Sequence, residues 1–227
     1  MTAFWTPDPQ ALAPYQHTQE QAGKCLQIIA AALQPGMTEQ DCELLIRDWL
    51  RAHQVFDPAR PPKVRFSGPR ARRRFGLNRP GKRRYRFGMS YILRCDAVHN
   101  GHAAKASLSG PAQAHLAPLH ERLRNFREQL PQALRQGQTP QQLASHYPGL
   151  RQHYRLVPLT GTLPEGNRID DGPLIPGLWQ WQLTLGDDEH RVACSEFLLM
   201  DDHGPRWLTS APAHLLDRSD NDKEEAA

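Results

Sequence analysis

A short pattern that occurs twice constrains this fold more than any other feature of the chain. Ala32-Leu33-Gln34-Pro35-Gly36-Met37-Thr38-Glu39-Gln40 reads A-L-x-x-G-x-T-x-Q, and Ala133-Leu134-Arg135-Gln136-Gly137-Gln138-Thr139-Pro140-Gln141 repeats it in the second half. Glycine is suited to the left-handed residue that ends a helix, and threonine to the N-cap of the next one. Each copy therefore predicts a helix–turn–helix, over 17–34 and 39–54 in the first case and 113–136 and 140–147 in the second. Periodicity assigns Cys25, Ile28, Ile29 and Ala32 to the buried face of the first helix, and Leu44, Leu45 and Trp49 to that of the second.

Each helix pair is followed by strand signals. Met89–Ala97 and His102–Leu108 flank His99-Asn100-Gly101, and Asn-Gly between apolar runs marks a hairpin. Leu178–Leu185 and His190–Met200 flank Gly186-Asp187-Asp188 in the same way. A third hairpin is expected over Phe197–Leu208, turning at Asp202-His203-Gly204. Trp179 and Trp181 alternate with Gln180 and Gln182, so one face is apolar and is read as core under helices. The expected architecture is α+β: two pseudo-symmetric helix–helix–hairpin halves around a curved antiparallel sheet. Residues 1–17 read as an N-terminal arm, 18–212 as a single domain and 213–227 as a polar tail.

Charge is distributed unevenly. The chain has 28 Lys and Arg against 24 Asp and Glu. Twelve of the basic residues, and no acidic one, lie between Arg60 and Arg86, so the remainder of the chain is acidic. The stretch alternates arginines with Phe66, Phe75, Tyr85 and Phe87, a composition that suits phosphate and base contacts as well as a solvated surface. No window is apolar enough to span a bilayer, and the N-terminus has no apolar signal core. The cysteines Cys25, Cys42, Cys95 and Cys194 are dispersed without CxxC spacing, which favours free thiols and a cytoplasmic protein over a zinc site.

The order of helix, Pro35-Gly36-Met37-Thr38, helix, basic loop, Gly88 through Asp96, and then Asn100-Gly101 resembles the methionine aminopeptidase, creatinase and Xaa-Pro aminopeptidase superfamily, which has the pita-bread fold. The stretch from Cys194 to Thr209 is similar to that family's closing pattern, E-x-x-x-x-V-x-x-x-G-x-x-x-L-T. The resemblance covers residues 18–212. It implies two divalent metals held by two aspartates, a histidine and two glutamates. Carried over residue by residue, Asp96 matches the first aspartate and Glu196 the last glutamate. Lys105 stands at the second aspartate and Gln182 at the first glutamate. Leu156-Val157-Pro158-Leu159-Thr160-Gly161 holds no histidine. The resemblance thus implies a degenerate member without metal or other cofactor, because a protonated lysine cannot ligate a cation.

Asp96, Lys105, Gln182 and Glu196 are the expected cleft residues, with Lys105 as general acid/base or electrostatic stabiliser oriented by the two carboxylates. Arg70, Arg72, Arg73, Arg74, Lys82, Arg83 and Arg84 are expected to border the cleft. Cys194 is expected inside it, because it shares a strand face with Glu196. The expected ligand is an anionic small molecule or peptide-like substrate, bound by a monomer or homodimer away from membranes. Two alternatives stand beside this reading: a nucleic-acid or protein binding module using the arginine-rich segment, and a conventional metal-dependent aminopeptidase. A structural ion pair at Asp96 and Lys105 is the plain alternative for the cleft itself.

Overall fold

The computed structural model describes residues 7–67, 81–111, 116–157, 174–187 and 190–215. Its first half runs α1 (Pro9–Ala31), α2 (Glu39–Ala52), β1 (Lys63–Ser67), β2 (Ser90–His99) and β3 (His102–Gly110). The second runs α3 (Ala117–Arg135), α4 (Pro140–Ala144), β4 (Leu150–Val157), β5 (Gly177–Gly186), β6 (Arg191–Asp201) and β7 (Gly204–Trp207). Both halves follow the order helix, helix, strand, hairpin, so the repeat in the sequence is a repeat in structure.

The repeated nonapeptide does the same work in both places. Gly36 and Gly137 take positive φ, 96° and 78°, where a side chain would strain the turn. Thr38 Oγ1 accepts from the Asp41 amide, and Asp41 returns a bond to the Thr38 amide at 2.8 Å. Thr139 and Gln142 form the same reciprocal box.

The antiparallel strands form two ladders, β1-β2-β3 and β4-β5-β6-β7. The outer edge of β1 is closed by α2, since Glu43 accepts from the Val64 amide and Glu39 from the Phe66 amide. The two ladders meet along β3 and β6, and side chains replace the missing ladder bonds there. Gln180 accepts from the Lys105 amide at 3.1 Å and donates to the Glu196 carbonyl at 3.0 Å. Gln19 donates to the carbonyls of Lys105 and Ser195. Ser107 and Ser195 share a hydroxyl bond at 2.7 Å, and Ser109 accepts from the Ala193 amide. Backbone polar groups at this buried junction are thereby satisfied.

Helices cover one side of each ladder. Under α1 and α2 lie Val64, Phe66, Leu93, Cys95 and Ala97; under α3 and α4 lie Trp179, Trp181, Leu183, Cys194 and Leu198. The tryptophans are core, as expected, with Tyr154 stacked on Trp181 at 4.4 Å.

Some elements differ from expectation. The first helix starts at Pro9, capped by Asp8, and so includes Pro14 in its interior, which has no amide to give the Gln10 carbonyl, while Thr18 donates to the Pro14 carbonyl. The buried stripe of α2 is Cys42, Ile46 and Leu50, while Leu44 and Leu45 are exposed, so the helix is rotated relative to the expected face. Strands β1 and β4 were not anticipated. Val64 and Phe66 alternate with Lys63 and Arg65 in β1, a half-buried period of two hidden within a run of charges.

Candidate functional site

Strand alternation decides which side chains can form a site. The two-residue turn Asn100-Gly101 pairs His99 with His102, and this register places Asp96 opposite Lys105, Arg94 opposite Ser107 and Lys63 opposite Arg94. Cys95 and Ala97 face the helices, so these polar residues lie on the face turned away from them. In the other ladder Gln182 pairs with Ser195 on one side and His153 on the other, while Gln180 pairs with Arg155. Trp179 and Trp181 face α3 and α4, so Gln180, Gln182, Arg155 and Ser195 share the opposite, open face, whose end at Val157, Leu178 and Phe197 is covered by Leu12 and Tyr15 of α1.

On this face Lys105 Nζ lies 3.6 Å from Asp96 Oδ2, with both side chains about one-quarter exposed. Burial draws the Lys105 pKa below the ordinary lysine range. Asp96 opposes that shift, while Arg155 and Lys63 reinforce it. Burial also lowers Arg155, which in turn is held up by Asp96. Asp96 is thus the carboxylate shared by Lys105 and Arg155. Arg94 donates to Thr184 Oγ1 across the junction at 3.1 Å. Burial lowers its pKa, as do Arg191 and Arg65 nearby.

Glu196 is elsewhere. It pairs with Trp181 in the β5–β6 ladder and therefore faces the helices. There it is 2% exposed and held by Arg127 of α3 through bonds of 2.7, 2.8 and 3.0 Å. Burial raises its carboxyl pKa, and the Arg127 hydrogen bonds and charge pull against that rise. Cys194 shares the position beneath α3, and burial raises its thiol well above the ordinary range. The structure therefore brings Asp96 and Lys105 together and sets Gln182 on their side, but it separates Glu196 and Cys194 from them. The place beside Gln182 belongs to Ser195.

Of the arginine-rich segment, Arg70, Arg72, Arg73 and Arg74 lie outside the described residues. Lys82 is exposed. Arg83 donates to the Phe66 carbonyl and Arg84 to the Gly36 carbonyl, so both guanidiniums pin residues 81–86 to β1 and the α1–α2 turn. Sequence reasoning missed Arg94, Arg155 and Arg127. Arg94 was legible as the strand neighbour two before Asp96. Arg127 was legible as a charge on the apolar stripe Leu123, Phe126, Leu130 of α3, a placement that demands a buried partner.

Among the described residues no three His, Cys, Asp or Glu side chains come together as a metal site. The donor set does not fit a dinuclear centre: Asp96 is paired with an ammonium, and Glu196 is committed to a guanidinium on the opposite face.

Solved structures with the same arrangement include a prolidase, an X-Pro aminopeptidase and a domain of a FACT complex subunit. The prolidase from Pyrococcus horikoshii superposes with a TM-score of 0.71 at 12% identity, covering 92% of this chain and 64% of that one. The X-Pro aminopeptidase from Thermotoga maritima gives 0.68 at 12% identity, over 91% and 62%. The N-terminal domain of FACT complex subunit SPT16 from Eremothecium gossypii gives 0.65 at 14% identity, over 92% and 60%. The chain thus has the pita-bread fold of prolidases and Xaa-Pro aminopeptidases, and spans about three-fifths of the length of these structures. No protein-family model matches it, and no curated protein sequence does. No helix among the described residues is long and apolar enough to cross a membrane.

Proposed function

We propose that this chain is a pita-bread protein that has lost the dinuclear metal site of its peptidase neighbours, and that its open face binds an anionic, peptide-like ligand. One observation carries the reading: Lys63, Arg94, Lys105 and Arg155 share that face with a single carboxylate among these strand positions, Asp96. Such a surplus in a partly desolvated setting favours an anion, because low local dielectric magnifies each charge. The names of the neighbours, prolidase and X-Pro aminopeptidase, support a ligand of peptide character. Where a proton is transferred on this face, Lys105 is the group placed to carry it, with Asp96 as its positioning partner.

The test is binding of acidic, neutral and basic tripeptides of equal length to the purified full chain, with its metal content measured in parallel. The acidic peptide should bind saturably and more weakly as salt rises, and Lys105→Met should weaken it. Equal binding of acidic and basic peptides, or cleavage that a chelator abolishes together with two bound divalent ions, would overturn the reading. Binding of an oligonucleotide with a steep salt slope and none of peptide would transfer the function to the arginine-rich segment.

A further inference from the structure

On the open face Lys105 has its counter-ion in Asp96, whereas Arg94 has none among the described residues. Arg94 sits in the middle of β2, and its one hydrogen bond among the described residues goes to the Thr184 hydroxyl at 3.1 Å. No carboxylate of the described residues stands within ion-pair distance of it. A guanidinium has several N–H donors in a rigid fork, so among the described residues most of this fork has no partner. Thr184 receives the Arg94 bond and keeps its own hydroxyl proton to donate. Two more guanidiniums, Arg191 and Arg65, are close enough to act on Arg94 electrostatically. Arg65 has Glu39 at 3.6 Å, and Arg191 is tied to the Asp187 carbonyl. Desolvation of a cation beside other cations is unfavourable unless an anion joins them.

We propose that Arg94 and Thr184, with Arg191 and Arg65 as the surrounding charge, form a seat for a phosphate group at the junction of the two ladders. This rests on the reading of the open face as an anion-binding surface, and narrows it to one end of the ligand. The clustered charge suits a doubly charged tetrahedral oxyanion better than a singly charged carboxylate. The forked guanidinium and the hydroxyl supply donors from the two sides of the junction. A ligand that spans this seat and Lys105 carries a phosphate at one end and a second acidic group at the other.

The probe is inorganic phosphate, titrated calorimetrically into the full chain at constant ionic strength, with acetate as the carboxylate control. Phosphate should bind at one equivalent, and acetate at least about tenfold more weakly. Arg94→Met and Thr184→Val should each weaken phosphate by about tenfold or more, and Arg94→Lys by less than Arg94→Met. Lys105→Met should weaken the acidic tripeptide strongly and phosphate far less than Arg94→Met does, which separates failure of the seat from failure of the general reading. Unfolding midpoints without phosphate establish that each variant is folded. Undiminished phosphate binding by folded Arg94→Met, or acetate equal to phosphate, would overturn the seat.

Discussion

Replacing Arg127 with Met tests the placement of Glu196 most directly. Arg127 supplies three bonds to the Glu196 carboxylate, a bond to the Thr209 carbonyl at 3.3 Å and a cation–π contact with Trp207 at 5.0 Å. Met approximates the stem but leaves a 2% exposed carboxylate without its cation. Breaking one side of such a buried pair costs about 3–5 kcal/mol. In a domain of this size that corresponds to a fall in Tm of roughly 10 °C. The loss must depend on pH. Burial already holds the Glu196 pKa above its ordinary value, and removing Arg127 removes the two influences that lower it most. A carboxyl raised in the folded state contributes stability below its unfolded pKa and loses it as pH rises through the folded pKa. The deficit relative to wild type is therefore larger at pH ~7 than at pH ~5, because the carboxyl takes up its proton as pH falls. Urea denaturation at both pH values measures it. Adding Glu196→Gln to the variant should recover more than about 1 kcal/mol, because the uncompensated charge is gone. A deficit below about 1 kcal/mol, or one identical at the two pH values, would refute the burial argument and return Glu196 to the candidate site.

Three further outcomes are expected. Gln180→Leu strands the Lys105 amide and the Glu196 carbonyl at the junction. It should cost about 2–4 kcal/mol and speed hydrogen exchange at Lys105, and an unchanged exchange rate would count against side-chain stapling of the ladders. Asp96→Asn should change stability by less than about 1 kcal/mol, since its ion pair with Lys105 is partly solvated. It should also tighten the acidic tripeptide; weaker binding would mean that Asp96 contacts ligand. Burial depresses His120 to about 4 and His214 to about 3. Basic groups depressed in the folded state take up fewer protons than when unfolded, so stability should fall as pH drops below about 6.5. The double variant His120→Asn, His214→Gln should flatten that slope in urea titrations between pH ~5 and ~7; an unchanged slope would assign acid sensitivity elsewhere.

Much of the fold is local chemistry and was readable as such. Asn100-Gly101 admits one tight hairpin, and the pairing of Asp96 with Lys105 follows from counting back from that turn. The nonapeptide carries its own glycine stop and threonine cap, so two helix junctions could be read without any knowledge of packing. The rotation of α2 was harder, because Leu44, Leu45 and Trp49 compete with Cys42, Ile46 and Leu50 for one buried stripe. The β1–α2 contact chose between them, with Glu39 and Glu43 on the flank that closes the β1 edge.

The sequence by itself determined a duplicated α+β chain, its turns and caps, and the cation that faces Asp96. Only the tertiary structure decided on which side Glu196 points. Cys194 and Glu196 share a strand face in either case, but a one-residue difference in the β5–β6 turn exchanges the two faces completely. The observed turn pairs Gly186 with Arg191, which sets Glu196 against Trp181 and beneath α3, and Ser195 beside Gln182. The parity of that turn depends on packing tryptophans under a helix, a long-range term that no local pattern encodes. The same packing leaves Arg94 facing the open side without a carboxylate among the described residues, at a junction between two ladders that no single segment of the sequence contains.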